Sequence, residues 1–169
     1  MNDPPVVIEP YDPTWPAMFE AEKRALSAVL APWLAGPIEH IGSTAVPDLP
    51  AKPVIDIMGA VRDLPSSQPA IEALRSLNYC YFAYKADVMH WFCKPSPFHR
   101  THHLHLVPFD SQLWRERLAF RDCLRSDAAT RSAYTQLKLE LAARFENDRE
   151  AYTEAKAEFI QSILQRVSP

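Results

Sequence analysis

A chain of 169 residues, 47% hydrophobic and 23% charged, has the size and balance of one globular domain, and it can bury a core without disulfides or structural zinc. The net charge of −3 gives no global attraction to nucleic acid, no apolar run reaches the roughly 18 residues of a membrane span, and Met1-Asn2-Asp3-Pro4-Pro5 lacks the basic-then-apolar order of a secretory leader. Three cysteines, Cys80, Cys93 and Cys123, are odd in number and scattered, which argues against a disulfide framework or a Cys-rich zinc site and for a reducing, cytoplasmic setting.

Residues 6–9 read as a short edge strand or an extended lead-in. Asp12-Pro13-Thr14-Trp15-Pro16 is a helix start, and Trp15, Phe19, Leu26, Val29 and Leu30 fall on one face of the helix that follows, until Pro32 ends it. Ile38-Glu39-His40-Ile41 is a short strand running into Gly42-Ser43. A proline-punctuated loop, 47–53, leads to a second, strongly apolar strand over 54–58 that continues toward Val61. A helix is expected over 68–77 and strands over 80–85, 88–93 and 102–108. The last third reads as three helices, at 111–125, 127–144 and 149–166. The whole predicts a single α+β (α/β) domain over 1–169, a small mixed β-sheet flanked by helices with a helical C-terminal third.

Glycine is rare here, with three residues, at 36, 42 and 59, against sixteen prolines. A strand entering Gly42-Ser43-Thr44 can present backbone N–H groups and hydroxyls to a phosphate; the plainer alternative is a capped turn. Asp56 lies inside the apolar run Val54-Ile55-Asp56-Ile57-Met58, where an unpaired buried carboxylate would cost several kcal/mol, so it either faces water or meets a partner. Five of the six histidines lie between positions 90 and 105. In a strand His103 and His105 point to one side and His102 to the other, and two imidazoles so spaced can bind metal or phosphate, or act as acid and base. Lys52, Lys94 and Arg100 offer positive charge nearby. Tyr134-x-x-x-Lys138 and Tyr152-x-x-x-Lys156 repeat one helical spacing, readable as a base-stacking and phosphate-neutralising pair or as a lysine lying along a half-buried tyrosine. No P-loop or Gly-x-Gly-x-x-Gly is present.

Taken together, several segments resemble the GrpB (UPF0157-type) family: 7–15, 100–107, 148–156, Phe120-Arg121-Asp122 and, above all, Ile38-Glu39-His40-Ile41-Gly42-Ser43-Thr44-Ala45-Val46-Pro47 followed by Ala51-Lys52-Pro53-Val54-Ile55-Asp56-Ile57. The similarity spans nearly the whole chain and implies a nucleotidyltransferase-like fold. In that superfamily a Gly-Ser turn cradles nucleotide phosphates ahead of a strand whose carboxylates hold Mg²⁺, and a third carboxylate comes from a neighbouring strand. Gly42-Ser43 matches the turn and Asp56 the second carboxylate. Val54 stands where the first belongs, and His103 and His105 stand near the third. An Asp-plus-His set suits Mn²⁺ or Zn²⁺ better than Mg²⁺. Glu39 can lend a carboxylate only if its side chain turns into the cleft.

The resemblance therefore implies metal-dependent transfer of a nucleotidyl or phosphoryl group from a nucleoside triphosphate to an unknown acceptor. Asp56, His103 and His105 are the expected catalytic and metal-holding residues, and Gly42, Ser43, Thr44, Lys52 and Arg100 the expected phosphate-binding ones. Two alternatives stay open: a nucleotide- or phosphometabolite-binding module without turnover, motivated by Val54, and a transition-metal phosphoester hydrolase, motivated by the histidines. The expected partner is a nucleotide or another small phosphorylated ligand, with neither membrane nor nucleic acid expected.

Overall fold

Asp12 organises the start of the first helix, its Oδ1 accepting from the Thr14 N–H and hydroxyl at 2.8 and 2.7 Å. Helix α1 runs Trp15–Leu30 and buries Trp15, Phe19, Glu22, Leu26 and Leu30, a stripe of helical spacing that stops ahead of Pro32. The computed structural model describes residues 5–167, so the segment read as leaderless lies, Pro5 apart, outside the described residues. Residues 6–9 form no strand of their own; Glu9 makes one isolated antiparallel bridge to Ala51.

Five strands follow: β1 (Leu34–Ile41), β2 (Ile55–Val61), β3 (Cys80–Phe82), β4 (His90–Pro95) and β5 (Arg100–Pro108), in one sheet of order β1-β2-β5-β4-β3. β2 and β5 pair in parallel and every other neighbour is antiparallel. After a separate α2 (Leu64–Ser67), the helix expected over 68–77 is a short α3 (Ala70–Ala73) and a 3₁₀ turn, Leu74–Leu77. Pro69, at the N-cap of α3, explains why α2 does not run on into it, because proline lacks an N–H for a continuous helix. The C-terminal third supplies α4 (Gln112–Ser126), α5 (Ala128–Arg144), α6 (Arg149–Glu154) and α7 (Ala157–Val167). Side chains of Ser111, Asp127 and Asp148 cap α4, α5 and α6. The single helix expected over 149–166 is two, and nothing in Ala155-Lys156 forecasts that division. Among the described residues no helix is long and apolar enough to cross a membrane.

The sheet separates two environments. On one face Ile55, Ile57, Val61, Phe92, Leu104 and Leu106 pack against α1 and the 70–79 segment. Each such side chain contributes about 1.5–3 kcal/mol by leaving water. Within this core Lys94 Nζ meets Glu22 at 2.6 and 2.7 Å, and the Tyr79 hydroxyl donates to Glu22 at 3.0 Å. Lys94, a candidate cation for the site, is thereby occupied on the opposite face. The second face carries Ile41, Met58, Ala60 and Val107 beneath Trp114 of α4. It also carries the candidate site.

Candidate functional site

Strand register assembles the site. Asp56 stands opposite His103 and Met58 opposite His105 across the β2–β5 pair, and directly opposed residues share a face of the sheet. On the other flank Ile41 stands opposite Asp56, so the turn leaving β1 passes over the carboxylate. Gly42 in that turn has φ 71°, a conformation L side chains avoid. A Cβ there would also lie 2.5 Å from Asp56 Oδ2. Handedness of the turn and room for the carboxylate both require glycine. Ser43–Ala45 then complete one 3₁₀ turn.

Asp56 Oδ1 lies 2.9 Å from His103 Nδ1 and 4.0 Å from His105 Nε2. Burial alone would raise the Asp56 pKa, but the hydrogen bond and charge of His103, then the charges of His105 and Lys52, outweigh it and hold the carboxyl well below the usual range. An ionised carboxylate only accepts, so His103 donates its Nδ1–H. In the neutral ring the lone pair then sits on Nε2, which is buried and has no hydrogen-bond partner; His105 Nδ1 is in the same state. His105 is pushed down to about 3, by burial first and then by Arg117, against the pull of Asp56, and is neutral at pH 7.

The C-terminal helices bring positive charge. Lys138 of α5, only 2% exposed, donates to the Pro50 carbonyl and lies 5.0 Å from the centre of the Tyr134 ring. Lys156, between α6 and α7, lies 4.2 Å over Tyr152. Burial, then the charge of Lys156, lowers Lys138 to about 7; burial, then Lys52, lowers Lys156 to about 8, with Asp56 opposing and Arg117 adding. Lys138, Lys156, Lys52 and Asp56 thus sense one another in succession. Tyr134 bonds to the Ser43 side chain, and burial pushes its hydroxyl up to about 12 despite that bond. Each lysine thus lies over its buried tyrosine, Tyr134 packing with Val46, Leu49 and Leu124 and Tyr152 with Val6 and Leu141, and the charges they sense link Lys156 to Asp56.

Other candidates lie elsewhere. The Thr44 hydroxyl donates to the Val54 carbonyl at 3.1 Å, and His40 Nε2 lies 3.0 Å from it. That hydroxyl's proton supports the scaffold and is not directed at a phosphate. His40 itself stacks on Phe19 and is pushed down to about 4, chiefly by burial. Arg100 lies 5.6 Å over the ring of Trp91, a neighbour of His103, and its Nε donates to the Pro97 carbonyl at 2.8 Å. Glu39 shares the sheet face of Asp56 but is paired with Arg121 at 2.7 Å. A cavity of ≈ 570 Å³ opens beside that pair, between Tyr11, Phe19, Arg121, Arg125 and Arg131. Its arginines are already matched by Glu39, Asp122 and main-chain carbonyls, so the chemistry favours the Asp56 cleft. Arg117 was missed from sequence; its signal was the row Arg117, Arg121 and Arg125 at four-residue spacing on one helix.

The donor set does not fit a pair of Mg²⁺ ions. Val54, in the place of the first carboxylate, is an apolar buried residue. Asp56 is already engaged by His103, and both imidazoles turn their nearer nitrogen to Asp56 and not to a shared centre. Among the described residues no three or more His, Cys, Asp or Glu side chains are grouped as metal ligands.

Comparison with known proteins agrees with this architecture. The family model described as GrpB protein matches residues 5–166. A UPF0157 protein of Pseudomonas aeruginosa is 39% identical over 98% of this chain and 69% of its own length. The crystal structure of the conserved protein GrpB from Enterococcus faecalis superposes with a TM-score of 0.86 at 32% identity, covering 95% of this chain and 96% of that one. Cid1 in complex with the UTP analogue UMPNPP superposes with a TM-score of 0.55 at 10% identity, covering 88% of this chain and 48% of that one, a likeness of fold. The chain belongs to the GrpB protein family and has the mixed α/β fold shared with nucleotidyltransferases.

Proposed function

We propose that the chain binds a nucleoside triphosphate in the Asp56 cleft and transfers a nucleotidyl or phosphoryl group from it to an acceptor hydroxyl. The observation that carries this is the Gly42–Ser43 turn closed over the Asp56–His103 pair; the lowered Lys156, which senses the charges of Lys52 and Asp56, supports it. Likeness of fold to a protein solved with a UTP analogue supports it.

On this reading the turn's N–H groups and the Ser43 hydroxyl take phosphate oxygens. Lys52, Lys156, Lys138 and Arg117 neutralise the phosphate charge, and the two lowered lysines recover full protonation when the anion arrives. His103 Nε2 takes the acceptor's proton while Asp56 holds the opposite N–H and stabilises the imidazolium. The acceptor oxygen bonds to phosphorus, the bond to the departing phosphate breaks, and the lysines hold the charge that leaves.

A second reading rests on the 4.0 Å approach of His105 to Asp56. On that reading the two imidazoles would turn from Asp56 to a shared centre, where Asp56, His103 and His105 would hold a single Mn²⁺ or Zn²⁺ able to polarise a phosphoryl oxygen.

Incubation with labelled triphosphates, in chelator and then with Mg²⁺, Mn²⁺ or Zn²⁺, separates these readings. Turnover is expected in chelator, falling about 100-fold or more in His103→Gln, the scale of a lost general base. Turnover confined to Mn²⁺ or Zn²⁺ favours the second reading. Binding without turnover under every condition leaves a binding module.

A further inference from the structure

The β3–β4 edge carries two exposed rings, Phe82 and Tyr84, beside Trp91, which packs in part against the Met58 and Met89 cluster. Phe82 stands opposite Trp91, and Trp91 opposite His105. Opposed residues share a face, so both rings lie on the side that carries His103, His105 and Asp56. Ring centres are 5.6 Å apart for Phe82 and Trp91, 6.3 Å for Tyr84 and Trp91, and 5.1 Å for Trp91 and His103. Phe82 and Tyr84 are 37% and 49% exposed, and Trp91 is half-buried. Two cations accompany the row: Arg100 lies 5.6 Å over Trp91 and Lys85 lies 5.5 Å over Tyr84.

Exposed aromatic area of this extent gives the free protein little stability. Aromatic faces interleaved with cations do suit one kind of occupant: a flat heteroaromatic ring attached to a phosphate. The row also has a direction, because its inner end is His103, whose Nε2 is buried without a partner.

We propose that this row is the acceptor subsite, where a nucleobase of the acceptor stacks on Trp91 between Phe82 and Tyr84 and so brings a sugar hydroxyl toward His103. The inference rests on the transfer function proposed above. A free nucleoside or nucleotide and the end of a single strand present the same base and hydroxyl, and the test distinguishes them. The position of the row beside the proton-accepting imidazole, with one cation over Trp91 and one over Tyr84, favours this occupant over a second copy of the chain, which would need apolar cover alone.

The full chain, saturated with a non-hydrolysable triphosphate, is titrated with nucleosides, nucleoside monophosphates and a short single-stranded oligoribonucleotide while tryptophan fluorescence is followed. Saturable quenching is expected, and affinity, read by calorimetry where Trp91 itself is replaced, is weakened about tenfold, the scale of one lost base–aromatic stack, by Phe82→Ala with Tyr84→Ala and by Trp91→Leu. Trp91→Phe keeps a ring and retains most of the affinity. Triphosphate binding is unchanged in all of these variants and is lost in Lys156→Ala. Binding of the mononucleosides assigns a small acceptor, and binding of the strand alone assigns a polynucleotide end. The inference is overturned if triphosphate binding is intact and Lys156-dependent while no acceptor quenches, or while the exposed pair Phe82→Ala, Tyr84→Ala leaves quenching unchanged. It is equally overturned if the chain is a dimer that this pair of substitutions dissociates. Absence of triphosphate binding in the wild type would instead remove the underlying function.

Discussion

Replacing Gly42 with alanine is expected to weaken the fold and abolish nucleotide binding in one step. Alanine pays about 1–2 kcal/mol to adopt the left-handed backbone that Gly42 has at φ 71°. The larger effect comes from the new methyl, which would lie 2.5 Å from Asp56 Oδ2 and 2.9 Å from Asp56 Cβ. Those atoms sit on a central strand and cannot withdraw, so either the turn lifts or Asp56 leaves His103. Asp56 keeps 30% of its side chain exposed, so separating it from its partner costs less than the ~3–5 kcal/mol of a fully buried pair, still a large share of the stability of an ordinary domain. Urea unfolding should therefore show a midpoint lowered by an amount equivalent to roughly 3 kcal/mol or more. A variant with the wild-type midpoint and wild-type binding would show that the turn and the carboxylate are not coupled.

The second large effect runs in opposite directions for stability and for binding. Lys138 is almost completely buried, and burial with the charge of Lys156 lowers it to about 7. The unfolded chain holds this proton up to the ordinary lysine range near 10.5, whereas the folded chain releases it near 7. Between those values the unfolded state binds more protons, so stability without ligand rises with pH across about 7 to 10. Lys156, lowered to about 8, adds a slope of the same sign. Below about 7 the penalty is present in full and the slope vanishes. Lys138→Met removes a cost on the order of several kcal/mol and leaves the Pro50 carbonyl without its donor, a loss of about 1–3 kcal/mol. The net expectation is a more stable protein with a flatter pH profile. Triphosphate affinity should fall about tenfold or more, because a cation that answers the phosphates is gone. Thermal unfolding from pH 6 to 10, with and without triphosphate, reads both effects. A less stable Lys138→Met protein with unaltered affinity would make Lys138 a structural residue.

Much of this was legible from residues alone, for identifiable reasons. Period-two alternation put His103 and His105 on one face and His102 on the other, because a strand permits nothing else. An aspartate inside Val54–Met58 had to face water or find a partner, and it found His103. The rarity of glycine drew attention to the turn in which Gly42 meets two demands. What sequence did not reveal depends on contacts between distant segments. Nothing in the spacing of Tyr134-x-x-x-Lys138 says that its helix carries it to Ser43 and Pro50. Thr44 looked like a phosphate ligand until the carbonyl of Val54, ten residues later, took its proton. Lys94 met Glu22 from a helix 72 positions away. The aromatic row at Trp91 was invisible because it forms across strands, where each ring alone is an ordinary strand residue.

The central claim is that the lysines and the Gly42–Ser43 turn hold a chain of phosphates. Calorimetric titration of the full chain with one base as nucleoside, mono-, di- and triphosphate tests it most directly, for the wild type and for Lys156→Ala. Affinity is predicted to rise with each added phosphate, and Lys156→Ala is predicted to remove most of that rise. Equal affinity along the series, or no binding of the triphosphate at all, would contradict it.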